Sequence, residues 1–182
     1  MFVKRIDFET AIQLDQLDQI IPIEEDYVFN QAIQAGLIEV QSYLAPVFDI
    51  SKVFPALPEW NANATYFKDE AVWYNNKIYV AKVEILPYST SGTSPNIDSN
   101  WQLNDIRDQK ILQVLIDIVL YHIHKRVSPR QVPQHRLFNH DLAINWLTGL
   151  RDGKLASNLS KIEEPATNPD VYSVYERQLW RY

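Results

Sequence analysis

All four histidines of the chain, His122, His124, His135 and His140, fall inside the stretch HIHKRVSPRQVPQHRLFNH. Imidazole is the side chain best suited to binding a transition metal or moving a proton near neutral pH, so their spacing is the first question. On a helix, His122 and His124 stand two positions apart and point about 200° apart, which prevents them from sharing a metal. His135 and His140 are five apart and diverge as well. A helical zinc pair needs i, i+3 or i, i+4 spacing, as in H-E-x-x-H. No Asp/Glu constellation at ligand spacing joins these histidines. The pattern therefore predicts polar helix ends around a tight corner rather than a metal or catalytic centre.

Other reactive chemistry is thinly supported. The chain holds no cysteine, which excludes disulfides, thiolate nucleophiles and cysteine-ligated zinc. It has four glycines in 182 residues and neither a G-x-G-x-x-G nor a G-x-x-x-x-G-K-[ST] loop to cradle phosphate. No serine sits in G-x-S-x-G. The adjacent pairs Glu24-Glu25 and Glu163-Glu164 read as capping and solubility groups. The expectation is a protein that is not an enzyme, with no cofactor. Lys125, Arg126, Arg130, His135 and Arg136 form the one concentrated basic stretch. It reads either as a contact to phosphate, with Lys125, Arg126, Arg130 and Arg136 facing DNA, or as a solvated helix terminus complementing the dipole.

The elements that must position these residues are mostly helical. Phe8, Ala11, Ile12, Leu14, Leu17, Ile20 and Ile21 follow a helical rhythm that Pro22 ends. A second helix opens with Glu24, Glu25 and Asp26, whose charges complement its positive end. Phe29, Ala32, Ile33, Gly36, Val40, Tyr43 and Leu44 form its apolar stripe, and Pro46 stops it. The run NDIRDQKILQVLIDIVLYHIHKR predicts a helix capped by Asn104 or Asp105 and central in its bundle. Phe138, Leu142, Trp146 and Leu150 recur in steps of four along a last helix, with Ala143 and Leu147 beside them. Gly153 stands where a left-handed cap belongs.

Between the helices the texture changes. EAVWYNN and KIYVAKVEIL read as strands around an Asn75-Asn76 turn, because asparagine tolerates positive φ. The fold expected is mainly α: a bundle of about four helices with a small inserted antiparallel β domain and an extended C-terminal tail. The expected boundaries are a helical domain over residues 1–54 and 104–162, the β insert over 55–103, and the tail over 163–182. The opening MFVKRIDFETAIQ lacks the apolar run of a signal peptide, and ILQVLIDIVLYHI is interrupted by Gln113, Asp117 and His122, so no membrane span is expected. The net charge of −6 opposes wholesale coating of nucleic acid.

The helical parts resemble the head–tail connector proteins of tailed bacteriophages, most closely the small adaptors of Mu-like phages. The positions that carry the likeness are Tyr43-Leu44 at the end of an N-terminal helix, the hydrophobic helix over 111–126, Pro129 in the corner, Ala143, Trp146-Leu147 and Gly153-Lys154. They span about residues 8–50 and 105–156. The resemblance implies a structural virion protein in the neck, made in the host cytoplasm. It implies a homo-oligomeric ring of twelve copies between the portal and a tail or stopper protein, with DNA passing through without sequence recognition. Tyr172, Tyr175, Leu179, Trp180 and Tyr182 would then anchor the tail on a neighbouring subunit or the portal.

The insert has its own likeness. YFKDEAVWYNNKIYVAKV followed by SPNIDSNWQL resembles the small chitin-binding modules of bacterial chitinases through Tyr66, Asp69, Val72, Tyr74, Lys77, Tyr79, Ala81, Pro95 and Trp101. It departs from their pattern where two glycines become Lys68 and Asn76, and where an exposed aromatic pair becomes Val83-Glu84. Trp73 and Tyr88 are the rings left as candidate glycan contacts, with Trp60 and Trp101 expected in the small core. This likeness supplies the rival reading, a carbohydrate-binding adhesion module on a helical scaffold.

Overall fold

A computed structural model describes residues 1–87 and 94–162. The chain is mainly helical with one small antiparallel sheet. A 3-10 turn over Arg5–Thr10 leads to α1 (Leu14–Ile20), and a second 3-10 turn over Ile23–Glu25 leads to the long α2 (Asp26–Leu44). The short α3 (Ile50–Val53) precedes the sheet of β1 (Ala71–Tyr74), β2 (Lys77–Ala81) and β3 (Trp101–Leu103), after which come α4 (Gln109–Val127) and α5 (Gln134–Arg151). The tail expected over 163–182 lies outside the described residues, as does Tyr88.

α4 is central because it is apolar over most of its circumference. Nine of its residues are buried, among them Leu115, Ile118, Val119 and Ile123. α2 packs along one side of it and α5 along another. Contact with α2 is tight at Gly36, where a Cβ would lie 2.6 Å from Cγ2 of Val119, so only a residue without a side chain lets the two backbones approach this far. The core continues through Phe8, which meets Phe29 edge-on at 5.0 Å, and through Leu17, Ile33, Val40, Leu44 and Leu147.

Three expectations need correction. The first helix is not continuous over residues 8–21. Asp7 accepts a hydrogen bond from the Lys4 amide at 2.7 Å and starts a separate 3-10 turn, and Gln13 is extended before α1 begins. The cap of α4 is Asp108, whose carboxylate accepts from the amides of Lys110 and Ile111, both at 2.9 Å. Asp105 is engaged elsewhere. On α5 the four-step line does not face the core: Phe138 is 61% exposed and Leu142 51%, while Ala143, Leu147 and Leu150 are buried. Each step of four overshoots a full turn by about 40°, so the line winds round the helix and only its far end can point inward. Gly153, at φ 69°, closes α5 as expected: the Lys154 amide bonds Gly149 O at 2.9 Å and the Gly153 amide bonds Leu150 O at 3.1 Å.

The hairpin turns at Asn75 (φ 48°) and Asn76 (φ 58°), the paired left-handed residues that a two-residue turn between twisted strands requires. Period-2 alternation then gives the sheet two faces. Val72 and Tyr79 join Tyr66, Ile85 and Trp101 in one cluster, while Trp73 and Ile78 join Leu57 and Ala71 in another. The outer edge of β1 is covered by residues 58–60: the Trp73 amide donates to Pro58 O and the Trp60 amide to Trp73 O, both at 2.8 Å.

Gly36→Ala should destabilise the fold by about 1–3 kcal/mol through overpacking, measured as a shift in the urea unfolding midpoint. Val119→Ala removes the clashing methyl, so the double variant should lose less than the sum of the two single changes. Strictly additive losses would show that α2 and α4 do not meet there.

Candidate functional site

Two of the four histidines come together through a residue the sequence did not single out. Glu39, on α2, points between α4 and α5 and bridges two imidazoles. His122 Nε2 lies 2.7 Å from Glu39 Oε2, and His140 Nε2 lies 3.3 Å from Glu39 Oε1. Tyr121 stacks over His140 with ring centroids 4.1 Å apart. Each His–Glu contact links two helices, and together they tie all three long ones. Tertiary contact from α2 creates this group, which spacing along one segment cannot reveal. His124 turns the other way and bonds Leu120 O through Nδ1 at 2.8 Å. Burial lowers the His124 pKa, and the nearby charges of Arg136 and His135 add to that against the hydrogen bond. His135 is exposed. Among the described residues no group of three or more His, Asp or Glu side chains is arranged to hold a metal ion.

The basic stretch divides. Lys125, Arg126 and Arg130 are exposed around the α4–α5 corner. Arg126 Nη1 donates to Gln31 Oε1 at 2.6 Å, and Lys125 Nζ lies 5.7 Å from the Tyr121 ring centre. Arg136 does not belong with them, which corrects its reading as a DNA-facing residue. It is 6% exposed because it stands seven positions before Ala143, on the core-facing side of α5. Its Nη2 donates to Ala11 O at 3.3 Å, and its Nε has no hydrogen-bond partner among the described residues. Burial lowers its pKa, against the attraction of Asp117.

Trp73 is likewise corrected as a glycan contact. It is 1% exposed, and its place in the alternation turns it towards the helices instead of solvent. Its indole Nε1 donates to Met1 O at 2.8 Å, while the amino group of Met1 donates to Leu57 O at 2.7 Å. Lys4 Nζ stands 4.6 Å from the ring centre and pairs with Glu59. The Arg107 guanidinium covers the ring at 4.9 Å. Arg107 bonds Asp7 through Nη1 and Nη2, both at 2.8 Å, Asp105 through Nε at 2.9 Å and Nη2 at 2.7 Å, and Phe2 O at 2.9 Å. Burial opposes the charge of Arg107, but its two carboxylate partners outweigh that and raise its pKa. Burial also opposes ionisation of Asp105, and the hydrogen bonds from Arg107 prevail and hold its carboxyl below the ordinary range. Trp101 lies in the small core as expected, and Trp60 packs against it.

The remaining feature is the outward side of α5. Phe138, Leu142 and the half-buried Trp146 line it, with Lys110 of α4 set 5.5 Å from the Trp146 ring centre. Tyr172, Tyr175, Leu179, Trp180 and Tyr182, the expected subunit and portal contacts, lie outside the described residues. No helix among the described residues is long and apolar enough to cross a membrane. No family model, no curated protein and no solved structure matches this chain.

Arg107→Met should cost about 3–5 kcal/mol, the range for stranding a buried carboxylate by removing its partner. Arg107→Lys should recover little, because an ammonium cannot fork between two carboxylates. Chemical denaturation of both variants checks the two outcomes. The depressed pKa of Asp105 also sets a sign with pH. Its stabilisation is present above the ordinary value of 3.8 and is lost as pH falls through the lower folded value. Unfolding midpoints measured downward from about pH 5 should therefore fall less steeply in Asp105→Asn than in the parent.

Proposed function

We propose that this chain is a structural virion protein, a head–tail connector that assembles as a ring of twelve copies between the portal and the tail or stopper and surrounds the DNA path. The observation that carries the reading is the outer side of α5, where Phe138 and Leu142, one turn apart, are both left to solvent beside Trp146. A helix face of this kind, with a half-buried tryptophan beside it, has the aromatic and aliphatic anchors of a protein interface. The positions that resemble the phage adaptors support it too. Tyr43-Leu44 ends α2, Trp146-Leu147 sits on α5, and Gly153-Lys154 supplies two of the amides that close α5.

The exposed cations Lys125, Arg126 and Arg130 offer non-specific contact to a phosphate backbone at one corner of the bundle. With a net charge of −6 over the whole chain, that contact is local, which suits DNA that passes and is not held. The chemistry is then assembly and not turnover. The rival glycan-binding reading loses the support of Trp73, because a buried indole offers no flat face to a sugar.

Negative-stain microscopy of the purified chain mixed with the portal protein encoded in the same genome tests the proposal. Ring-shaped density seated on the portal is the expected result. A chain that stays monomeric at every concentration and leaves the portal bare overturns it.

A further inference from the structure

We propose that the outward apolar strip of α5 is the seat for the C-terminal segment 171–182 of a neighbouring copy of this chain; the inference rests on the ring-forming reading above and names the contact that would build the ring. The strip begins at Phe138, continues through Leu142 and Trp146, and is extended by Leu155, which is folded back against Gly149. From position 138 to position 149 it runs about 16 Å, at roughly 1.5 Å per residue. A shallow groove between α4 and α5, lined by Val114, Leu142, Ala143 and Trp146, deepens it, with Lys110 and Asp117 at its rim. Among the described residues this is the apolar line that follows a long helix in solvent. The exposed Tyr27 and Ile38 of α2 stand three turns apart with polar residues between them.

The segment VYSVYERQLWRY matches the strip in length and character. At the helical period Val171, Tyr175, Leu179 and Tyr182 recur at i, i+4, i+8 and i+11, with Tyr172 beside them. Wound as a helix, such a line would span about 16 Å. Arg177 and Arg181 fall together on its flank, four positions apart. The strip presents carboxylates in return: Asp141 is exposed, and Asp117 accepts from the side-chain amides of Gln113 and Asn139 at 3.3 and 3.2 Å. Aromatic anchors on a helical stripe, set in a groove with charge at its edges, form a recurrent recognition mode.

A neighbour's strip is the seat because of where the described chain ends. Lys161 bridges Phe48 and the Ile162 amide donates to Val47 O at 3.1 Å, so the chain departs beside the C-terminal end of α2. The eight residues EEPATNPD that follow carry Pro165 and Pro169, which bias their neighbours toward extended backbone and away from a tight return. Eight residues reach at most about 28 Å.

The absence of cysteine from the 182 residues makes a direct test available in this chain. A Leu142→Cys chain and a Tyr175→Cys chain, carrying tags of different mass, are mixed and oxidised. A crosslinked heterodimer is the expected product, and adding Phe138→Asp to the Leu142→Cys chain should cut its yield about tenfold, the effect of losing roughly 1.4 kcal/mol of affinity. The same change at Ile38, also exposed, should leave the yield intact, and thermal melts of both variants should overlay the parent because neither side chain is buried. Absence of the heterodimer overturns the proposal. So does a heterodimer insensitive to Phe138→Asp, or a crosslink in the Leu142→Cys/Tyr175→Cys chain that forms only within one molecule. Heterodimer without portal-bound rings would leave the contact standing and sink the connector reading, while rings without heterodimer would do the reverse.

Discussion

The helical bundle and the small sheet are joined by one buried cation. The Arg107 guanidinium touches the carboxylates of Asp7 and Asp105, the carbonyl of Phe2 and the face of Trp73, and so reaches the N-terminal turn, the entry to α4 and the sheet at once. Taking a charge out of water is expensive, and a buried ion pair of this kind is weak evidence for added stability by itself. Its effect here is geometric. A planar fork with five donors accepts few arrangements of partners, so it sets the angle at which the Trp73 face of the sheet meets the first residues of the chain. Apolar contact at Leu57 and Ile78 alone would allow sliding. The hydrogen bonds at Met1, which reach Leu57 in one direction and Trp73 in the other, fix the same junction from the opposite side.

Local rules made much of this fold legible. Proline and glycine marked the ends of α2 and α5, two asparagines marked the hairpin, and the breadth of the apolar surface on α4 marked it as central. The misplaced details share a cause, which is competition between groups near in sequence and groups near in space. Asp105 has the right residue type to cap α4, but Arg107 recruits it, and Asp108 takes the cap. Trp73 has the right chemistry to hold a sugar, but strand parity turns it to the face away from Val72 and under Arg107. On α5, residues four apart look like a stripe over one or two steps, yet the helical repeat rotates them away from each other. Ala143, Leu147 and Leu150, spaced four and three, keep to the core.

The candidate site was less legible than the fold. The histidine pairs really do diverge on their own helices, as their spacing requires. What spacing omits is Glu39, eighty-three positions from His122 and one hundred and one from His140, which gathers one imidazole from each helix. Arg136 shows the converse. Its neighbours in the sequence are exposed cations, and its neighbours in space are Ala11 and the apolar side of the bundle. A charge cluster in one dimension is therefore a mixed population in three.

α5 brings these strands together. Its first turn carries His135 and Arg136 at the positive end of the helix dipole, with no acidic residue and no side-chain cap. Local electrostatics thus work against its start, and packing of Ala143, Leu147 and Leu150 on α4, aided by the Glu39 contact to His140, has to hold it. The same helix leaves Phe138 and Leu142 uncovered on its other side. A helix that depends on tertiary burial on one face gains further support from any partner that buries the opposite face, because association then adds to the free energy that keeps it folded. The residues that would be covered in an assembly thus lie on the long helix whose own sequence supports it least.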